Sequence, residues 1–96
     1  MTAYVIGHVK VLDDNLWNQY RQSVPNTFKE FGAEVIIRAN KTRCLSGQDI
    51  SADQIVVISF PNTEHIESWY QSSSYQKLIS LRDFAADVQL FSYSST

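Results

Sequence analysis

The run Gln54-Ile55-Val56-Val57-Ile58-Ser59-Phe60 passes directly into Pro61-Asn62-Thr63-Glu64-His65-Ile66-Glu67-Ser68-Trp69-Tyr70. The first part is β-branched and apolar at alternate positions on both faces, with Ile55 and Val57 against Val56, Ile58 and Phe60. That suits a central strand covered on both sides. Pro61 cannot donate to a sheet ladder, and Asn62 can cap a helix whose first turn holds the acid Glu64. Ile66, Trp69 and Tyr70 then form a helical stripe.

Upstream, Ser46 to Asp53 is polar and contains Gly47, so it reads as a hairpin loop. Before it, Glu34 to Asn40 is a strand, and pairing could resume through Arg43 to Leu45. Simple alternation puts Val35, Ile37 and Ala39 on one face and Glu34, Ile36, Arg38 and Asn40 on the other. Gly32 fits a left-handed helix terminus. Leu16, Trp17, Tyr20, Val24, Phe28 and Phe31 recur at steps of three and four, a helix capped by Asp13 or Asp14. Pro25 predicts a kink or a new helical segment within it. Ala3 to Val11 is the opening strand, with Val5, Gly7, Val9 and Val11 opposite Tyr4, Ile6, His8 and Lys10. Gly7 leaves room there for a helix to approach. Downstream, Ser72-Ser73-Ser74 breaks one helix and caps another bearing Tyr75, Leu78, Ile79 and Arg82. Val88 to Tyr93 is the last strand, and Ser94 to Thr96 should fray.

The order strand, helix, strand, strand, helix, strand is the α+β ferredoxin-like pattern βαββαβ. Residues 1–96 form one domain, with a four-stranded antiparallel sheet and its helical segments on one face. The other face carries Tyr4, Ile6, His8, Ile36, Arg38, Phe91 and Tyr93. Such a surface exceeds the roughly few hundred Å² of contiguous apolar area that soluble monomers expose. A second copy packed sheet to sheet, giving a homodimer, would cover it.

Composition removes several classes. Of the 96 residues 44% are hydrophobic and 19% charged, which supports a core and argues against disorder. A net charge of -2 offers no basic surplus, so nucleic acid is not an expected partner. No apolar run approaches the roughly 20 residues of a membrane span, and no signal-like leader is visible. A reducing, cytoplasmic setting is expected. The single cysteine, Cys44, excludes an internal disulfide. His8, His65 and Cys44 lack ligand spacing, so no metal is expected, and no cofactor motif such as a Gly-rich phosphate loop occurs.

Ile58 to Ala86, ISFPNTEHIESWYQSSSYQKLISLRDFAA, resembles the signature of a small bacterial family numbered thirteen-thirty among the domains of unknown function. The matching positions are Phe60-Pro61, Trp69-Tyr70, Ser72, Tyr75, Leu78 and Leu81-Arg82. Tyr4-Val5-Ile6, Tyr20, Val24-Pro25, Phe31-Gly32 and Arg38 extend the likeness along nearly the whole chain. The family usually has paired glycines before the second strand and after its arginine. This chain has Gly32-Ala33 and Ala39-Asn40 instead. The resemblance implies a dimeric α/β barrel and no settled activity. Its wider superfamily includes cofactor-independent monooxygenases, muconolactone-type isomerases and haem-handling enzymes.

Several residues are candidates for a site. His8, facing the barrel, could act as a catalytic general acid or base near neutral pH, or be a hydrogen-bonded interface histidine. Arg38 could bind a substrate carboxylate, or form a salt bridge within the chain or across a dimer, with Glu34 or Asp87 as partners. Tyr20, Trp69, Tyr70 and Tyr75 could line a pocket for an aromatic molecule, although aromatics at helical spacing also build cores. Arg82 could add an anion contact or anchor a helix end. The reading is a homodimer that binds or transforms a small anionic or aromatic molecule. The rival is a non-catalytic binding or structural dimer.

Overall fold

The computed structural model describes residues 1–96. The elements are β1 (Ala3–Val11), α1 (Asp14–Ser23), β2 (Glu34–Asn40), β3 (Gln54–Phe60), α2 (Thr63–Gln71), α3 (Ser73–Gln76), α4 (Ile79–Ala85) and β4 (Ala86–Ser94). Two short 3-10 turns, Val24–Thr27 and Lys29–Phe31, join α1 to β2. The sheet runs β2-β3-β1-β4, antiparallel throughout, with the helices on one face. This is the expected α+β ferredoxin-like fold. No helix is long and apolar enough to cross a membrane.

Local chemistry sets the boundaries. Asp13 Oδ1 accepts from Leu16 N at 2.9 Å, and Asn62 Oδ1 accepts from His65 N at 2.9 Å, so each caps a helix start. Pro25 opens the Val24–Thr27 turn, where a missing backbone donor costs nothing. Gly32 has φ 64°, and a Cβ there would lie 2.9 Å from Pro61 Cγ. Both conformation and space therefore require glycine at the turn into β2. At Gly7 the space is filled by cross-strand neighbours rather than by a helix. A Cβ would meet Val56 Cγ1 at 2.8 Å and Leu90 Cδ2 at 3.1 Å.

The core lies between sheet and helices. Val5, Val9, Val56, Ile58 and Phe60 meet Trp17, Tyr20, Val24, Phe28, Ile66, Trp69 and Tyr75, all buried. Cross-strand partners share a face. The uncovered face therefore carries rows that run across the sheet. One row is Ile37, Val57, Ile6 and Phe91; the next is Ala39, Ile55, His8 and Gln89. Ile37, Phe91 and Tyr93 are about half exposed.

Three expectations are corrected. The ladder between β2 and β3 shifts register between Val35 and Ile37, so Ile36 is an extra residue. Beyond this bulge the alternation reverses. Ile37 joins the uncovered face, and Arg38, opposite Val56, joins the helix face. Pairing does not resume at Arg43–Leu45: residues 41–53 form no regular structure. That loop is braced by Lys41 Nζ, which donates to Asp49 Oδ1 at 2.9 Å and to the Ile50 carbonyl at 2.6 Å. The last strand runs on through Ser94, and Ser95 N donates to the Thr2 carbonyl at 3.0 Å, so the end is tied rather than frayed there.

Candidate functional site

The helical layer brings Tyr20, Trp69 and Tyr75 together. Helix α1 presents Trp17, Tyr20 and Arg21 at steps of three and four. Trp17 stacks on Tyr20 with centroids 5.1 Å apart. The Tyr20 and Tyr75 phenols share a buried hydrogen bond of 2.8 Å. Arg82 Nη1 donates to the Tyr75 oxygen at 3.1 Å, and its Nε donates to Asp83 Oδ1 at 3.0 Å. Trp69 packs on Tyr75 at 4.3 Å and donates its Nε1–H to Thr27 Oγ1 at 2.8 Å. The mutual phenol bond uses one hydroxyl proton. The second proton has no acceptor in the chain, so the relay keeps one donor to spare.

A cleft of about 270 Å³ opens at the β4 edge beside this relay. Val5, Val88 and Leu90 form its floor; Ile66, Trp69 and Tyr70 form its wall. Arg82 and Glu67 supply its charged side chains, and Phe91 stands at the rim shared with the uncovered face. An apolar slot with a single guanidinium suits a small planar molecule bearing an anionic or polar group.

Burial pushes the Tyr20 phenol well above its ordinary value of 10.0. The neighbouring Tyr75 adds to the rise, while Arg82 and Arg38 oppose it. A raised acid favours the folded state only while it stays protonated. Its contribution is full below about pH 10, where the unfolded phenol is also neutral, and drains away as pH climbs further. Urea denaturation across alkaline pH should therefore show wild type losing stability faster above about pH 10 than Tyr20→Phe, with equal slopes below it.

The other two candidates lie elsewhere. His8 sits on the uncovered face, edge-on to Phe91 at 6.0 Å. Arg38 sits on the helix face near Arg21, and like Arg82 it acts on the Tyr20 phenol. It makes no ion pair with Glu34 or Asp87, since the ion pairs are Lys41–Asp49 and Arg82–Asp83. His8 and Arg38 are thus separated by the sheet, and one chain does not bring them together. No three His, Cys, Asp or Glu side chains gather as a metal site. Tyr70, expected among the aromatics that could line a cavity, does line the cleft, whereas Arg21 as a neighbour of Arg38 was missed, although the i+4 step from Trp17 to Arg21 was a signal for it.

The domain of unknown function DUF1330 matches residues 2–94. The chain belongs to that family. The DUF1330 resemblance at Phe60-Pro61 and Trp69-Tyr70 thus falls on the β3–α2 connection and the cleft wall. No curated protein matches the chain by sequence. Among solved structures, it is similar to the protein of unknown function RPA0582 from Rhodopseudomonas palustris, with 16% identity and a TM-score of 0.81. That likeness covers 99% of this chain and 82% of the other. The hydroxynitrile lyase of Passiflora edulis aligns at 9% identity and TM-score 0.77, covering 99% and 94%. A dimeric ferredoxin-like protein of unknown function from Jannaschia aligns at 5% identity and TM-score 0.67, covering 99% and 100%. These likenesses establish a shared fold for this DUF1330 chain.

Proposed function

We propose that this protein is a cytoplasmic homodimer that holds a small aromatic or anionic organic molecule in the cleft at the β4 edge, without a metal. The observation that carries this reading is the Arg82 guanidinium placed on a mostly apolar slot and bonded to Tyr75. The half-buried Tyr70 supplies a flat wall, backed by the buried Trp69. Tyr75, itself bonded to Tyr20, positions Arg82. The dimer rests on the apolar rows of the uncovered face and on the dimeric ferredoxin-like protein sharing this fold. The chain is a slab of 34 × 34 × 17 Å, and its broad face exceeds the roughly 800 Å² per partner that stable interfaces use. Sheet-to-sheet packing would enclose His8 and bring the partner over the rim at Phe91. Any proton-transfer role for His8 belongs to that interface. The lyase on this fold makes catalysis on a small organic molecule a natural extension.

Calorimetric titration with a panel of small aromatic carboxylates tests the reading. At least one member should bind saturably, and Arg82→Gln should weaken it about tenfold, the value of one charge-assisted hydrogen bond. Circular dichroism checks that the variant is folded. If the whole panel fails, or Arg82→Gln binds equally well, the cleft is structural packing and the rival dimer module stands.

A further inference from the structure

A second charged hollow lies at the opposite edge of the sheet, between α1 and β2. Arg21 and Arg38 both line it, and both also line the adjoining hollow beside Asn18 and Val35. The first hollow is about 280 Å³ and is completed by Trp17, Asn40, Gln54 and Val56. Neither guanidinium joins an ion pair, and neither donates a hydrogen bond to any group of the chain. The charged neighbour that acts on Arg38 is Arg21, another cation; together with burial it draws Arg38 below its ordinary range. Two neighbouring like charges repel, and a shared anion would relieve that repulsion. Trp17 adds an independent sign. It is 5% exposed, and its Nε1–H is the one buried side-chain donor with no acceptor. Buried donors are nearly always paired, and this orphan belongs to a residue that lines the cationic hollow.

We infer that the α1–β2 hollow binds a compact oxyanion, the carboxylate or phosphate group of a small molecule, gripped by Arg21 and Arg38 against Trp17. The bulge at Ile36 is what brings Arg38 to this side, and the four-residue step from Trp17 brings Arg21. The amides of Asn40 and Gln54 offer neutral donors at the same hollow. This site shares no lining residue with the cleft at β4, and the inference does not depend on that cleft.

Heteronuclear NMR of the full chain tests it, with inorganic phosphate and acetate added separately at constant ionic strength held with chloride. The Trp17 indole and the Arg21 and Arg38 side-chain resonances should shift saturably with at least one of the two anions. The Trp69 indole, already bonded to Thr27, should stay still. Arg21→Gln and Arg38→Gln should each weaken binding about tenfold, and Lys29→Gln, an exposed charge elsewhere, should change nothing. Arg21 and Arg38 are exposed, so both variants should fold; Arg38→Lys, which retains the charge, should bind at an intermediate level. Saturation by phosphate alone or acetate alone identifies the source of the oxyanion. Linear shifts that chloride reproduces, or undiminished binding in Arg38→Gln, overturn the inference.

Discussion

Replacing Trp69 with alanine is expected to remove a large part of the chain's stability. Trp69 is 1% exposed and touches Phe28, Phe60, Tyr70 and Tyr75, with ring centroids 5.9, 5.3, 6.2 and 4.3 Å away. Removing a buried indole from a packed site costs about 3–5 kcal/mol. The Thr27 hydroxyl, itself buried, would also lose the donor it now accepts from. A domain of this length has a total stability of roughly 5–14 kcal/mol, so the loss takes most of a modest reserve. Urea denaturation followed by circular dichroism should show the midpoint falling by more than half. Trp69→Phe keeps a ring and loses only the indole donor, so it should fall in between. A midpoint that hardly moves in Trp69→Ala would mean that the aromatic cluster does not hold the helices to the sheet.

Ile6→Lys is expected to convert a dimer into a monomer. Ile6 stands on a central strand, in the row Ile37, Val57, Ile6 and Phe91. In a two-fold interface every substitution enters twice, so two ammonium groups would be buried near one another. An unpaired charge in an interface costs several kcal/mol, or about a thousandfold in dissociation constant. Sedimentation equilibrium should report twice the 11.0 kDa chain mass for wild type and the single mass for Ile6→Lys. Gln22→Lys, an exposed change on α1, should remain dimeric. Wild type sedimenting as a single chain, or Ile6→Lys as a pair, would remove the sheet-to-sheet arrangement and the role proposed for His8 with it.

Most of the architecture was legible because hydrophobic period and turn chemistry are local. Asp13, Asn62 and Ser72 cap where short polar side chains precede apolar stripes, and Gly32 takes the positive φ that only glycine adopts cheaply. The grouping of Tyr20, Trp69 and Tyr75 was also legible, since three amphipathic stripes on one layer must converge. The place of Arg38 was not. Its face depends on a register shift that arises from pairing with β3, a tertiary event with no signature in EVIIRAN itself. The same shift concealed Arg21 as its companion. The Arg82–Tyr75 bond was similarly hidden, because it depends on how α3 turns into α4.

The extra residue at Ile36 works like a railway point. Strand positions ahead of it and behind it travel to different compartments of the molecule, while their order along the chain is unchanged. Two homologues can therefore share an arginine in the same alignment column and display it to different chemistry, if one has the additional residue and the other lacks it. Sorting such sequences by the presence of that residue, rather than by the arginine alone, separates those that aim a cation at the helical layer from those that aim it at the uncovered face of the sheet.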